Sequence, residues 1–188
     1  MIMSRLPLSL KEALDTFQIH FEQRDLLRVQ NLEPVVVDDT FRQGIELAFD
    51  KHGLVESRFD TDFFVLPVLK EVFESIGYQI LRETVLSFAQ NKIKHDFLIG
   101  TPSSAQLTII FIQGRLLEDV LCEALIKMLS LVSVEQKRLH ALLTDGHEWH
   151  FCTLEGHYMS LHPNRLFIYD VEILAAAMRF FLQEEFVY

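Results

Sequence analysis

Apolar positions along the chain recur first at helical spacing. Leu10, Ala13, Leu14, Phe17 and Phe21 follow Ser9-Leu-Lys-Glu12, a capping-box pattern that opens a helix. Pro34 interrupts the chain before Val35, Val36 and Val37. A second capping box, Thr40-Phe-Arg-Gln43, predicts another helix with Ile45, Ala48 and Phe49 on one face and a stop at His52-Gly53. Residues 56–77 read as a further helix, since Phe63, Leu66, Leu69, Val72 and Phe73 keep the period. Pro67 predicts a kink or a restart, and Gly77 an end. From 78 to 88 the pattern alternates, as in a half-buried strand. Residues 91–115 hold two β-branched runs around Thr-Pro-Ser-Ser, the pattern of a hairpin. A broad apolar helix follows over 116–134. Asp145-Gly146 then sets a tight hairpin whose return strand starts at Trp149, the residue that anchors it on the sheet. Asp170 caps a last helix running through Phe181. This order predicts a mixed sheet covered by helices.

Composition narrows the function. The chain has 188 residues, 49% hydrophobic and 23% charged, enough for a real core. No apolar run is long enough for a membrane span. The first residues lack a signal-peptide pattern, and Cys122 and Cys152 form no CxxC pair. A reduced, intracellular protein is expected, cytoplasmic or nuclear. The net charge of −10 weighs against general nucleic-acid binding by surface charge alone and leaves room for a local basic patch. His147, His150, Cys152 and His157 match no familiar zinc spacing. Sixteen phenylalanines at helical and strand spacing read as core.

One residue stands out chemically. Asp96 lies inside an apolar strand, where an unpaired carboxylate costs free energy to desolvate. Gln113 and Arg115 close the second strand of the same hairpin. Either Asp96 takes a cation or it forms an ion pair, with Arg115 or Lys94 as partner.

Several motifs in this order resemble the PD-(D/E)xK nuclease superfamily, most of all the N-terminal nuclease domain of type I restriction subunits. The resembling pieces are Glu56…Pro67-Val-Leu69…Gly77-Tyr78, a strand glutamate at Glu83, and Lys94-His95-Asp96-Phe-Leu-Ile. Ile112-Gln113-Gly114-Arg115 and Leu143-Thr144-Asp145-Gly146-His147-Glu148-Trp149 complete the set. The match covers roughly 56–155, and residues 1–50 have no counterpart.

The resemblance implies an α/β, restriction-endonuclease-like three-layer core with a central mixed sheet flanked by helices. It would occupy 54–188 behind a helical N-terminal extension, 1–53. It also implies a metal-dependent endonuclease site. Asp96 and Gln113 would hold Mg²⁺ or Mn²⁺, Arg115 would face the transition-state charge and Glu56 would support them.

This chain departs from the family motif where the chemistry is most exacting. Gln113 brings a neutral carbonyl in place of a carboxylate, and Arg115 a planar guanidinium in place of a lysine. His95 stands where the family carries proline. Two functions therefore remain open: hydrolysis of nucleic-acid phosphodiesters at full or reduced rate, or a catalytically inactive nuclease fold that binds nucleic acid or protein. DNA is expected ahead of RNA, and a protein partner would come through residues 1–53. An open cleft rimmed by Lys92, Lys94, Arg115 and Lys127 would suit DNA. Asp96 paired to Arg115 in a closed site would suit a retired nuclease.

Overall fold

The computed structural model describes residues 6–52, 61–101, 104–112, 114–131 and 138–183. Glu56 and Gln113 lie outside the described residues. The elements are α1 (Leu10–Phe17), β1 (His20–Gln23), α2 (Asp39–His52), α3 (Thr61–Phe73), β2 (Gln79–Phe88), β3 (Asn91–Thr101), β4 (Ser104–Phe111), α4 (Leu117–Ser130), β5 (Arg138–Thr144), β6 (Glu148–Glu155), β7 (Tyr158–Leu161), β8 (Leu166–Phe167) and α5 (Val171–Gln183). The strands form one mixed sheet in the order β1-β7-β6-β5-β4-β3-β2, with β8 paired to the start of β6. β4 and β5 are parallel, as the intervening helix α4 requires, and β1 runs parallel to β7. The other pairs are antiparallel.

Helices cover both faces, so the core has two parts. On one face Ile45 of α2, Val68 and Phe73 of α3 and Met178 and Phe181 of α5 pack on Ile99, Ile109, Leu142 and Phe151. On the other, Leu10 and Ala13 of α1 and Val120, Leu125 and Met128 of α4 pack on Leu98, Ile110, Ala141 and Leu143. This is the α/β three-layer arrangement the sequence predicted.

Local signals behave as their chemistry dictates. Ser9 caps α1, accepting from the Glu12 amide at 3.2 Å. For α2 the cap is Asp38, whose carboxylate accepts from the amides of Thr40 and Phe41; the expected Thr40 box is displaced by this stronger, charged acceptor. Pro67 sits within α3, and Gly77, at φ 87°, ends the following turn. Asp145 closes the β5–β6 turn by accepting from the amides of His147 and Glu148.

The stretch 1–53, expected to be helical throughout, also supplies β1. Four residues are too few to show a period, and their partner β7 lies far along the chain, so local patterning could not reveal this strand. α1 packs against α4 in the same core. Among the described residues, no helix is long and apolar enough to cross a membrane.

Candidate functional site

Asp96 lies in β3 on the face covered by α4. Strand side chains should alternate between faces, yet here the alternation reverses once. Ile93 and Leu98 join the core under α4, whereas Phe97 and Ile99 join the opposite core. His95 and Asp96 are consecutive, and both reach residues of α4. The neighbouring strand reverses at the same level. Arg82 stacks over the Phe97 ring, Glu83 beside it has φ 48°, and Leu86 joins the α4 core. Pairing holds on both sides, Arg82 opposite Phe97 and Thr84 opposite His95. A left-handed non-glycine residue costs free energy. The result of this reversal is that two neighbouring polar side chains share one face.

The ion pair that satisfies Asp96 involves neither Arg115 nor Lys94. Its Oδ2 lies 3.2 Å from Nζ of Lys127, which projects from α4. Lys127 is only 5% exposed, against 41% for Asp96. The same ammonium lies 2.8 Å from Glu123 Oε1, one helical turn earlier, and Glu123 Oε2 accepts from Arg115 Nη1 at 2.5 Å. Four charges thus form a neutral chain, Asp96–Lys127–Glu123–Arg115. Burial pushes the Glu123 carboxyl up, but Lys127 and Arg115 outweigh it and hold the group below its ordinary value. Lys94 pairs instead with Glu83 at 2.8 Å, which raises the Lys94 pKa.

His95 is wholly buried beside this chain. Ser130 Oγ donates to the Lys127 carbonyl at 2.7 Å, so it accepts from His95 Nε2–H at 2.8 Å. Nδ1 is then left to accept from the Thr108 hydroxyl at 3.1 Å. Burial first, and the Lys127 charge second, depress the His95 pKa to about 4, against the opposing pull of Asp96 and Glu123. The ring is therefore neutral at physiological pH. It ties β3, β4 and the last turn of α4 together.

Arg115 does not end a strand. β4 stops at Phe111, and Arg115 lies in the turn before α4, after Gly114 at φ 65°. Lys92, Lys94, Arg115 and Lys127 all line one cleft of about 550 Å³, together with Asp119 and Glu123. Leu6, Pro7 and Leu8 form another part of its wall. The four rim cations expected of an open cleft are thus together, while the Asp96–Arg115 pair expected of a closed site is replaced by Asp96–Lys127.

Of the expected metal ligands only Asp96 is among the described residues, since Gln113 and the supporting Glu56 lie outside them. Among the described residues, no three His, Cys, Asp or Glu side chains converge on a point. The two nearest carboxylates, Asp96 and Glu123, already share the ammonium of Lys127. Sequence reasoning placed Lys127 on the rim but missed Glu123. Their i, i+4 spacing on a helix was the available signal.

No family model matches the chain, and no curated protein matches it. Among solved structures, the chain is similar to a cryo-EM structure of a DrdV–DNA complex, at 14% identity and a TM-score of 0.51. The alignment covers 77% of this chain and 13% of that one. The fold is restriction-endonuclease-like. At this identity the likeness is one of fold, and it agrees with the central mixed sheet and its two helical layers.

Proposed function

We propose that this chain is a nucleic-acid-binding domain of nuclease-like fold. It seats a phosphodiester backbone in the cleft beside Asp96, and metal-dependent hydrolysis there is weak or lost. One observation carries this reading: Lys92, Lys94, Arg115 and Lys127 gather on one cleft, and Lys127 already neutralises Asp96. Lysine and arginine supply phosphate affinity through counterion release. Hydrolysis of this class needs carboxylates available to a metal ion, and here an ammonium already lies between them. The likeness to a DNA complex supports DNA as the ligand.

A cleavage assay with Mg²⁺ and Mn²⁺ on labelled DNA and RNA, run beside an anisotropy titration, tests this. Wild type should bind DNA and show little or no turnover. Turnover that disappears in Asp96→Ala, with circular dichroism unchanged, would instead establish a metal-dependent endonuclease centred on Asp96. Absence of binding to either nucleic acid would contradict the proposal.

A further inference from the structure

We propose a second contact at the same end of the sheet, a stacking platform for the bases of single-stranded nucleic acid, built from Arg165, Phe167 and Tyr169. It rests on the reading of the cleft given above. The segment from Arg165 to Tyr169 alternates. Leu166 and Ile168 turn inward against the core, while Phe167 is 38% and Tyr169 54% exposed. Single exposed aromatics need no explanation, but these are arranged. The Arg165 guanidinium lies over the Phe167 ring at 5.3 Å, and the Tyr169 ring lies 6.5 Å from that of His147. β8 holds the strip in place, with Phe167 opposite Glu148 and Leu166 opposite the fully buried Trp149. The Ile168 amide also donates to the His147 carbonyl at 2.9 Å.

Topology puts the strip at the end of the sheet where Arg115 of the cleft wall lies. β4 and β5 are parallel and end at Phe111 and Thr144, and β6 starts back from that end with Trp149 opposite Thr144. Arg115 follows β4 at this end, and β8 pairs with the first residues of β6. Three strand intervals separate β4 from β8, about 14 Å at ~4.8 Å each. A short single strand crosses that distance. A duplex keeps its bases stacked inside and offers none to the platform.

Charge favours stacking over phosphate contact. Arg165 Nη1 donates to Glu148 Oε2 at 2.6 Å, so its charge is balanced while its plane remains over the ring. The cleft would hold the backbone and the platform would hold bases, the two components of non-specific single-strand binding.

The test is an anisotropy titration with labelled oligo(dT) and with a duplex of the same length, for wild type, Phe167→Ala, Tyr169→Ala and Phe167→Trp. Wild type should prefer the single strand. Each alanine variant should weaken oligo(dT) binding by about tenfold and leave duplex binding unchanged. Phe167→Trp should keep the wild-type affinity. Undiminished oligo(dT) binding in both alanine variants overturns the platform and leaves the cleft standing. Equal losses for single strand and duplex, not restored in Phe167→Trp, also overturn it. Failure of wild type to bind either oligonucleotide overturns both readings. Self-association abolished by the same substitutions would make the strip a protein contact and overturn the platform alone.

Discussion

Each face of the sheet buries a histidine, and the two are used differently. His140 of β5 faces α5, where its ring packs edge-on against Phe181 at 4.6 Å. Its Nδ1 has no hydrogen-bond partner among the described residues. Burial, aided by the charge of Arg138, drives its pKa to about 3. His95 of β3 faces α4, where both ring nitrogens are engaged by hydroxyls from two other elements. One ring serves as packing, the other as a junction. The α5 face is an aromatic core in which a polar atom is tolerated. On the α4 face buried polar groups hold a charged chain at the edge of a cleft. Buried polar networks cost stability when incomplete; around His95 the network is complete, whereas His140 leaves one ring nitrogen unpaired among the described residues.

Acid should expose this contrast most strongly. Both histidines have folded pKa values below the ordinary 6.5, so protonation favours the unfolded chain. Their stabilising contribution is complete above pH 6.5 and falls as pH drops, to about 4 for His95 and about 3 for His140. Each group should cost about 1.4 kcal/mol per pH unit over its window. Urea midpoints measured from pH 7 to 4 should therefore fall steeply. Replacing either histidine with leucine should remove its share of the slope.

Phe181→Ala should cost about 3–5 kcal/mol at neutral pH, since it empties the aromatic face beside both His140 and Phe151. Lys127→Met should cost about 3 kcal/mol, the low end for breaking a buried pair, because its two carboxylates keep partial access to water. Both are read from urea denaturation. The sharpest comparison is the smallest in size. His95→Leu should cost about 2 kcal/mol by stripping partners from Thr108 and Ser130. His140→Leu removes an unpartnered polar atom and should leave neutral-pH stability nearly unchanged. Equal losses in the two variants would erase the distinction between the faces.

The legible parts of the fold were those with long periods. The apolar stripe of α4, the alternation of β2 and the Asp145-Gly146 turn depend on near neighbours, and patterning finds them. β1, β7 and β8 have four, four and two residues and are defined by distant partners, so no local period announces them. Asp96 was legible as an anomaly, because a carboxylate in an apolar strand must find a partner. Which partner was not legible. The reversal of alternation that puts Asp96 and His95 on one face lies opposite Glu83, whose left-handed backbone no residue pattern encodes. Lys127 sits on the buried stripe of α4, where its long stem packs and only its ammonium reaches Asp96.

A cleft that binds a phosphate backbone must lose affinity as salt rises, and a salt series tests this most directly. DNA affinity would be measured across a series of salt concentrations for wild type and for Lys92→Glu with Lys94→Glu, both exposed positions on the cleft wall. Each phosphate contact contributes about 0.9 to the slope of log affinity against log salt for duplex DNA, and about 0.7 for a single strand. Wild type should show a clear negative slope and the double variant one shallower by about 2. An affinity that does not change with salt, or an identical slope in the two proteins, would contradict it.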